Sequence, residues 1–142
     1  MKETAEIILG KNPHKDRYKP FDYLDLLQER MAAGAADVII SRAGSTIFEI
    51  ASWQKPSLII PITNSNGDHQ RQNAYAYARV GAAEVIEEKN LTSHIVVSEI
   101  ERILGNPAIV EKMKKAAGEF ARRDSAKLIA QQILSIALEH EK

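Results

Sequence analysis

The strongest constraint on the fold is a set of short apolar runs that alternate with segments of helical periodicity. Three of the four runs are continuous rather than alternating, which is typical of strands buried on both faces of a parallel sheet. The runs predicted as strands are Ala5–Gly10, Ala36–Ser41, Pro56–Ile62 and Ala82–Glu88, and the helices predicted between them are Tyr23–Ala33, Thr46–Gln54 and Asp68–Val80. This order predicts an α/β fold, a Rossmann-like parallel sheet of four or five strands flanked by helices.

The last third of the chain, from Ser93 onward, shows only helical patterns. A Gly-Asn-Pro stop at residues 105–107 separates two predicted helices, and Asp124 with Ser125 can cap a third. The third helix carries an apolar stripe suited to packing against a sheet or a partner, formed by Ile129, Ile133, Ile136 and Ala137. We therefore predict one domain over residues 1–142, with a helical tail over residues 93–142.

Composition excludes several classes of function. Nineteen basic residues balance nineteen acidic ones, so no net field favours nucleic acid as a partner. There is no cysteine, which excludes disulfides and thiolate metal sites. The apolar runs are far shorter than the ~20 residues of a membrane-spanning helix, and the first residues show no signal-peptide pattern. The sequence therefore predicts a cytoplasmic protein.

The first candidate binding segment joins the second apolar run to the helix that follows it. Ligands of open α/β sheets bind outside the carboxyl ends of the strands, and the residues expected there are Arg42, Gly44, Ser45 and Thr46. We predict that Gly44 permits a tight turn and that Ser45 or Thr46 caps the helix, whose first N–H groups attract anions. Glu49 lies one helical turn on and can accept two hydrogen bonds from a vicinal diol such as a ribose. The alternative is an exposed acid that the helix dipole favours.

The second candidate segment follows the third apolar run. Asn66-Gly67 indicates a turn, and Asp68 can cap the next helix. Gln70 and Asn73 lie three residues apart on one face of that helix. Two amides on one face offer donors and acceptors to sugar hydroxyls. The alternative is an ordinary polar surface.

No other motif in the sequence predicts catalysis or cofactor binding. The four histidines show no metal-ligand spacing, and no glycine-rich nucleotide motif or nucleophile elbow occurs. We therefore expect no metal site and no cofactor. The sequence identifies no catalytic base.

The two candidate segments together resemble the MurG family. The resemblance is carried by ADVIISRAGSTIFEIASWQKPSLIIPI and DHQRQNAYAYARVGAAEVIEEKNLT, and it extends from about Lys19 to Thr92. MurG enzymes are bacterial transferases that add N-acetylglucosamine from UDP-N-acetylglucosamine to the lipid-linked muramyl-pentapeptide precursor of peptidoglycan. The resemblance implies the C-terminal domain of an inverting transferase of the glycosyltransferase-B fold, in which the donor binds between two Rossmann-like domains.

The resemblance also implies a role for each candidate residue. Glu49 matches the family's acid that holds the ribose hydroxyls of UDP. Gln70 and Asn73 match the amides that bind the N-acetylglucosamine ring. The turn Gly44-Ser45-Thr46 matches the turn that lies beside the nucleotide.

The family's glycine-rich diphosphate loop and its N-terminal acceptor domain have no counterpart in this sequence. The resemblance therefore implies a truncated domain or one subunit of a split transferase, with the catalytic base and the lipid-linked acceptor on the missing domain or a partner subunit. The complete enzyme would lie peripherally on the cytoplasmic face of the inner membrane, and the isolated chain would transfer no sugar. Two alternatives stay open: another UDP-sugar enzyme of the same fold, such as an epimerase, and a non-catalytic nucleotide-sugar-binding half.

Overall fold

The computed structural model describes residues 10, 12–64, 66–121 and 124–139, except for the side chains of Asn66 and Glu139. All of the predicted strand Ala5–Gly10 except its last residue lies outside the described residues. The chain forms two compact units, residues 1–34 and residues 35–142, each of which has its own internal contacts. The single domain predicted over residues 1–142 stays a prediction.

The first unit contains a 3-10 turn at Lys15–Arg17 and most of helix α1, Leu26–Ala35. The sequence predicts this helix from Tyr23, but it begins after Asp25. Asp25 Oδ1 accepts a hydrogen bond from Gln28 N at 2.9 Å, and Gln28 Oε1 accepts one from Asp25 N at 3.0 Å. This reciprocal pair satisfies two N–H groups at the helix start, and so it sets the position of the first turn.

The second unit is built on a three-stranded parallel sheet. Its elements in chain order are β1 (Ile39–Ser41), α2 (Thr46–Trp53), β2 (Ser57–Ile59), α3 (His69–Arg79), β3 (Ala83–Val85), α4 (Ser93–Leu104), α5 (Pro107–Phe120) and α6 (Ser125–Glu139). The strand order is β1–β2–β3, and Leu58 of β2 is in register with Ile40 on one side and Glu84 on the other. The predicted α/β order is confirmed. Each strand is shorter than its apolar run, and the described residues hold three of the four or five predicted strands.

Strand β2 is buried on both faces, as its continuous apolar run predicts. Ile59 belongs to the larger core cluster, to which α2, α3 and α5 contribute Ile47, Ile50, Ala74, Tyr77, Ala116 and Ala117. Leu58 belongs to a smaller cluster with Ile60 and Ile86, and Val96 of α4 packs against it. Successive residues of a strand point to opposite faces, so helices cover both faces of the sheet.

The last third of the chain is helical, as predicted. Thr92 caps α4 and Asn106 caps α5, each with a side-chain oxygen that accepts a hydrogen bond from a first-turn N–H group. The apolar stripe of α6 is not buried against the sheet, because Ile129, Ile133 and Ile136 are 60%, 61% and 55% exposed. Across the described ranges, no helix has both the length and the apolar character needed to cross a membrane.

Candidate functional site

The carboxyl ends of the three strands lie at one edge of the parallel sheet, and each is followed by a loop that carries polar side chains. Arg42 directly follows β1, Thr63 lies shortly after β2, and Glu87 and Glu88 lie shortly after β3. In parallel α/β sheets this edge is where ligands bind. The candidate residues predicted from the sequence lie on the loops and helices that start here.

The turn between β1 and α2 is not the glycine-dependent, side-chain-capped turn that the sequence predicts. Gly44 does not have a positive φ, and a Cβ built on it would meet no atom within 4 Å. Ser45 occupies the N-cap position without a capping hydrogen bond, and Thr46 is already the first helical residue. Backbone bonds close the turn, from Ile47 N to Gly44 O at 3.3 Å and from Phe48 N to Ser45 O at 3.0 Å. No side chain therefore caps the start of α2. Ile47 N and Phe48 N are used within the turn, so among the first N–H groups it is that of Thr46, at the positive end of the helix dipole, that makes no hydrogen bond to a described residue and is available to an external acceptor.

Glu49 lies in the first turn of α2 and is exposed. Its backbone carbonyl accepts a hydrogen bond from Ser52 Oγ at 2.8 Å. Its carboxylate makes no hydrogen bond and no ion pair with any residue that the structure describes. An acid at this position interacts favourably with the helix dipole, and its oxygens stay accessible to a donor from solution. The role of Glu49 in ribose binding stays a prediction.

The two amides on α3 face the sheet edge, but each is bonded to the backbone of a different loop. Gln70 Oε1 accepts a hydrogen bond from Ile62 N at 3.1 Å, in the loop after β2. Asn73 Nδ2 donates to Ala43 O at 3.2 Å, in the turn after β1. The structure therefore brings the two predicted segments together at one place, and it gives both amides a structural task that the sequence did not reveal.

The turn before α3 is formed by Asn66-Gly67, as predicted, with Gly67 in the left-handed region at φ 64° and ψ 18°. Asp68 occupies the N-cap position of α3 but makes no capping hydrogen bond. The predicted cap is therefore wrong. The φ of Asp68 is itself 57°, and its carboxylate lies 3.7 Å from Arg71 Nη1 instead.

Glu88 connects the loops that follow all three strands. Its Oε1 lies 2.7 Å from Arg42 Nη2, and its Oε2 accepts hydrogen bonds from Thr63 N at 3.2 Å and from Thr63 Oγ1 at 3.0 Å. Arg42 Nη1 also donates to Ile60 O at 3.3 Å. The Thr63 N–H and the Arg42 guanidinium lower the pKa of Glu88, because both stabilise its charged form.

A second charged cluster ties α3 to the loop after β3. Glu87 Oε1 accepts a hydrogen bond from Tyr75 OH at 2.6 Å and from Arg71 Nε at 3.2 Å. The Tyr75 hydroxyl is the main cause of the lowered pKa of Glu87, and the same bond raises the pKa of Tyr75. The arginines Arg42 and Arg71 at this edge are thus each paired with a carboxylate.

Sequence reasoning missed Thr63, Tyr75, Glu87 and Glu88. The available signal was the pair of acids at the end of the fourth apolar run, at the sheet edge where ligands bind. The sequence did not show which bases those acids meet, because their partners lie on other loops and on α3. The described residues contain no group of three or more His, Asp or Glu side chains that could hold a metal ion.

Comparison with known proteins identifies the family of this chain. Residues 2–133 match the model of the glycosyltransferase family 28 C-terminal domain. That match covers nearly the whole chain, including both candidate segments and most of the helical tail.

Curated relatives are named UDP-N-acetylglucosamine--N-acetylmuramyl-(pentapeptide) pyrophosphoryl-undecaprenol N-acetylglucosamine transferase. The relative from Chlorobium luteolum is 34% identical over 77% of this chain and 30% of its own length. The relative from Sorangium cellulosum is 36% identical over 85% of this chain and 30% of the relative's own length. The relative from Mycobacterium ulcerans is 32% identical over 96% of this chain and 34% of the relative's own length. The chain thus spans about a third of the length of the curated relatives it matches.

A solved structure supports the same assignment at the level of fold. The crystal structure of Acinetobacter baumannii MurG superposes with a TM-score of 0.70 and 24% identity, over 82% of this chain and 33% of that one. The parallel sheet flanked by helices is therefore the fold of the MurG C-terminal domain, and the predicted resemblance is confirmed. This chain belongs to the glycosyltransferase family 28 C-terminal domain family.

Proposed function

We propose that this chain is the donor-binding domain of a hexosyltransferase that moves N-acetylglucosamine from UDP-N-acetylglucosamine to a lipid-linked muramyl-pentapeptide. The family match and the names of the relatives support the donor and the acceptor. The position of the candidate residues at the carboxyl edge of the sheet supports the location of the donor site.

The nucleotide is bound by α2 and the turn before it. Glu49 accepts hydrogen bonds from the two ribose hydroxyls, since its exposed carboxylate has no competing partner among the described side chains. The N-terminal end of α2, with the Thr46 N–H and the positive end of the helix dipole, faces the diphosphate. The small Gly44, around which an added Cβ would find no atom within 4 Å, leaves room for the ligand to approach the backbone.

The sugar is bound from α3. Asn73 uses Nδ2 for the carbonyl of Ala43, which leaves Oδ1 as an acceptor for a sugar hydroxyl or amide. Gln70 holds Ile62 N and lies on the same face of α3. Neutral amides form directional hydrogen bonds with hydroxyl groups and attract no counterion, which suits the recognition of an uncharged sugar.

This domain contributes to catalysis through the leaving group. The Thr46 N–H and the positive end of the α2 dipole stabilise the negative charge that develops on the UDP diphosphate as the glycosidic bond breaks. The turn and α3 orient the anomeric carbon toward the acceptor. We assign the acceptor site, the base for the acceptor hydroxyl and the peripheral attachment to the membrane to the part of the transferase that corresponds to the rest of the relatives' length.

The observation that carries this proposal is the hydrogen bond from Asn73 to Ala43, which places the amide segment beside the turn of the nucleotide segment. Calorimetric titration with UDP-N-acetylglucosamine and UDP tests it. We expect saturable binding of both ligands at one site. No saturable binding of UDP-N-acetylglucosamine would contradict the proposal.

A further inference from the structure

The ion pair between Arg42 and Glu88 joins loops that are far apart in sequence. Arg42 Nη2 lies 2.7 Å from Glu88 Oε1, and Arg42 Nη1 donates to Ile60 O at 3.3 Å. Glu88 in turn receives two hydrogen bonds from Thr63. One guanidinium and one carboxylate therefore hold together the chain after β1, the chain after β2 and the chain after β3.

This pair contributes little to the free energy of folding, because both side chains are partly exposed to solvent. The side chains of Arg42 and Glu88 are 47% and 35% exposed, and half-exposed ion pairs contribute little to stability. The consequence of the pair is geometric, because Arg42 directly precedes the Ala43–Thr46 turn. A planar guanidinium with two fixed partners allows few orientations of the backbone that carries it.

The turn after β1 is held from two sides by these contacts. Arg42, directly before the turn, is paired with Glu88, and the amide of Asn73 holds the carbonyl of Ala43. From within, the turn is closed only by the backbone bonds of Ile47 N and Phe48 N, because it has no side-chain cap and no glycine-specific backbone angle. Its position therefore also depends on contacts from neighbouring loops.

We propose that Arg42 and Glu88 are positioning residues for the nucleotide: together they hold the Ala43–Thr46 turn so that the N-terminal end of α2 and the carboxylate of Glu49 meet the ligand in one geometry. Neither residue contacts the ligand, and both act through the turn. The inference rests on the function proposed above. It assigns a task to Arg42, for which the sequence predicted only a place at the ligand-binding edge, and adds Glu88 as its partner.

The same chain provides a matched control pair. Arg102 Nη2 lies 2.7 Å from Glu84 Oε1, and the two side chains are 42% and 43% exposed. This pair joins α4 to β3, whereas Arg42 and Glu88 join the loops at the carboxyl edge. Glu88→Gln and Glu84→Gln each remove one negative charge and keep the side-chain shape, so any general effect of charge or of losing a surface ion pair is common to both.

The sign of the effect separates positioning from simple electrostatics. UDP is an anion, so removal of a nearby negative charge by itself strengthens its binding. Release of the Ala43–Thr46 turn, in contrast, weakens UDP binding. We expect Glu88→Gln to weaken UDP and UDP-N-acetylglucosamine equally, by about three- to tenfold, and Glu84→Gln to leave both affinities within about twofold of the unchanged chain. Arg42→Lys keeps the charge but not the two-pronged contact, and we expect it to behave like Glu88→Gln.

The experiment combines calorimetry with amide hydrogen exchange of the ligand-free protein. In Glu88→Gln, and not in Glu84→Gln, amides of residues 43–47 should exchange faster while those of β2 are unchanged. Unchanged exchange of residues 43–47, or an affinity for UDP that is equal or stronger in Glu88→Gln, would overturn the positioning pair. If the unchanged chain does not bind UDP, the proposed function fails and the nucleotide role of the pair fails with it, while the exchange data still decide whether the pair holds the turn.

Discussion

Asn73 on α3 donates its side-chain amide to the backbone carbonyl of Ala43, 3.2 Å away in the turn that precedes α2. The two residues belong to the two segments that the sequence singled out as candidate binding elements. Through this bond, the helix assigned to the sugar and the turn assigned to the nucleotide form one surface. Substitutions in each segment should therefore separate nucleotide binding from sugar binding.

Replacement of Glu49 by alanine should weaken UDP binding by about tenfold or more, because it removes a charged acceptor for two ribose hydroxyls. The free energy of unfolding should change by less than ~1 kcal/mol, since the side chain is exposed. Calorimetric titration and chemical denaturation measure the two quantities. Glu101→Ala, which removes an exposed acid from α4, is the control. An unchanged affinity for UDP would show that Glu49 only interacts favourably with the dipole of α2 and does not bind the ligand.

The amides of α3 should affect the sugar more than the nucleotide. We expect Gln70→Ala to weaken UDP-N-acetylglucosamine while the affinity for UDP stays nearly the same. Asn73→Asp should weaken both ligands, because a carboxylate cannot donate to Ala43 O and the turn is released. Titration of both ligands against both variants tests the division. Equal losses of UDP and UDP-N-acetylglucosamine in Gln70→Ala would mean that its bond to Ile62 N is its main task.

Tyr77 should make the protein less stable at high pH. The side chain is fully buried, and burial raises its pKa to about 12. In the unfolded chain a tyrosine loses its proton near pH 10, so the unfolded state binds fewer protons than the folded state between about pH 10 and 12. The free energy of unfolding should therefore fall as the pH rises through this range, by on the order of 2–3 kcal/mol.

The variant Tyr77→Phe isolates that effect, because it keeps the ring that packs 4.9 Å from Phe120 and removes the hydroxyl. That hydroxyl meets the distance and angle criteria of a hydrogen bond with no described residue, and the Ser57 hydroxyl beside it offsets only part of the effect of burial on its pKa. We expect Tyr77→Phe to be as stable as the unchanged chain at pH 7, within ~1 kcal/mol, and to lose less stability at high pH. Identical slopes of stability against pH in the two proteins would contradict a buried neutral tyrosine.

Glu87 should titrate at lower pH than an ordinary glutamate because Tyr75 OH and Arg71 stabilise its carboxylate. A group whose pKa is lowered by folding stabilises the protein at neutral pH, and that contribution is lost as the pH falls through its folded pKa. In Tyr75→Phe the pKa of Glu87 should rise toward the ordinary value. Carboxyl NMR titration measures it directly. An unchanged pKa of Glu87 would show that the hydrogen bond does not form in solution.

The chain alone should not transfer sugar at a useful rate, because we assign the acceptor site and the base to another part of the transferase. The measurement is transfer of radiolabelled N-acetylglucosamine to a lipid-linked acceptor, with complete Acinetobacter baumannii MurG as the positive control. Transfer by this chain at a rate comparable to that control would contradict the assignment.

The fold was predictable because its signals are local. The apolar run at β2 predicts a strand covered on both faces, and Leu58 and Ile59 do enter cores on opposite sides. The start of α1 was misplaced because the capping exchange between Asp25 and Gln28 lies inside the predicted helix. The predicted caps at Ser45 and Asp68 failed for another reason: the residue type permits a cap, but backbone angles and tertiary partners decide whether it forms.

The candidate site was only partly predictable, because its contacts join segments that are distant in sequence. Helical spacing places Gln70 and Asn73 on one face of α3, and the structure confirms that both reach the sheet edge. Spacing does not show that Glu88 meets Arg42 and Thr63, because that arrangement depends on the register of three parallel strands. Paired charges across loops are a property of the assembled sheet.

The bond between Asn73 and Ala43 has a thermodynamic consequence. If the sugar prefers one orientation of the Asn73 amide and the diphosphate prefers one conformation of the turn, each ligand group selects the arrangement that suits the other. Such a linkage is reciprocal, so the factor by which the sugar strengthens nucleotide binding equals the factor by which the nucleotide strengthens sugar binding. UDP-N-acetylglucosamine would then bind more tightly than the separate affinities of its two halves predict, and a substitution in the turn would alter sugar recognition from a distance.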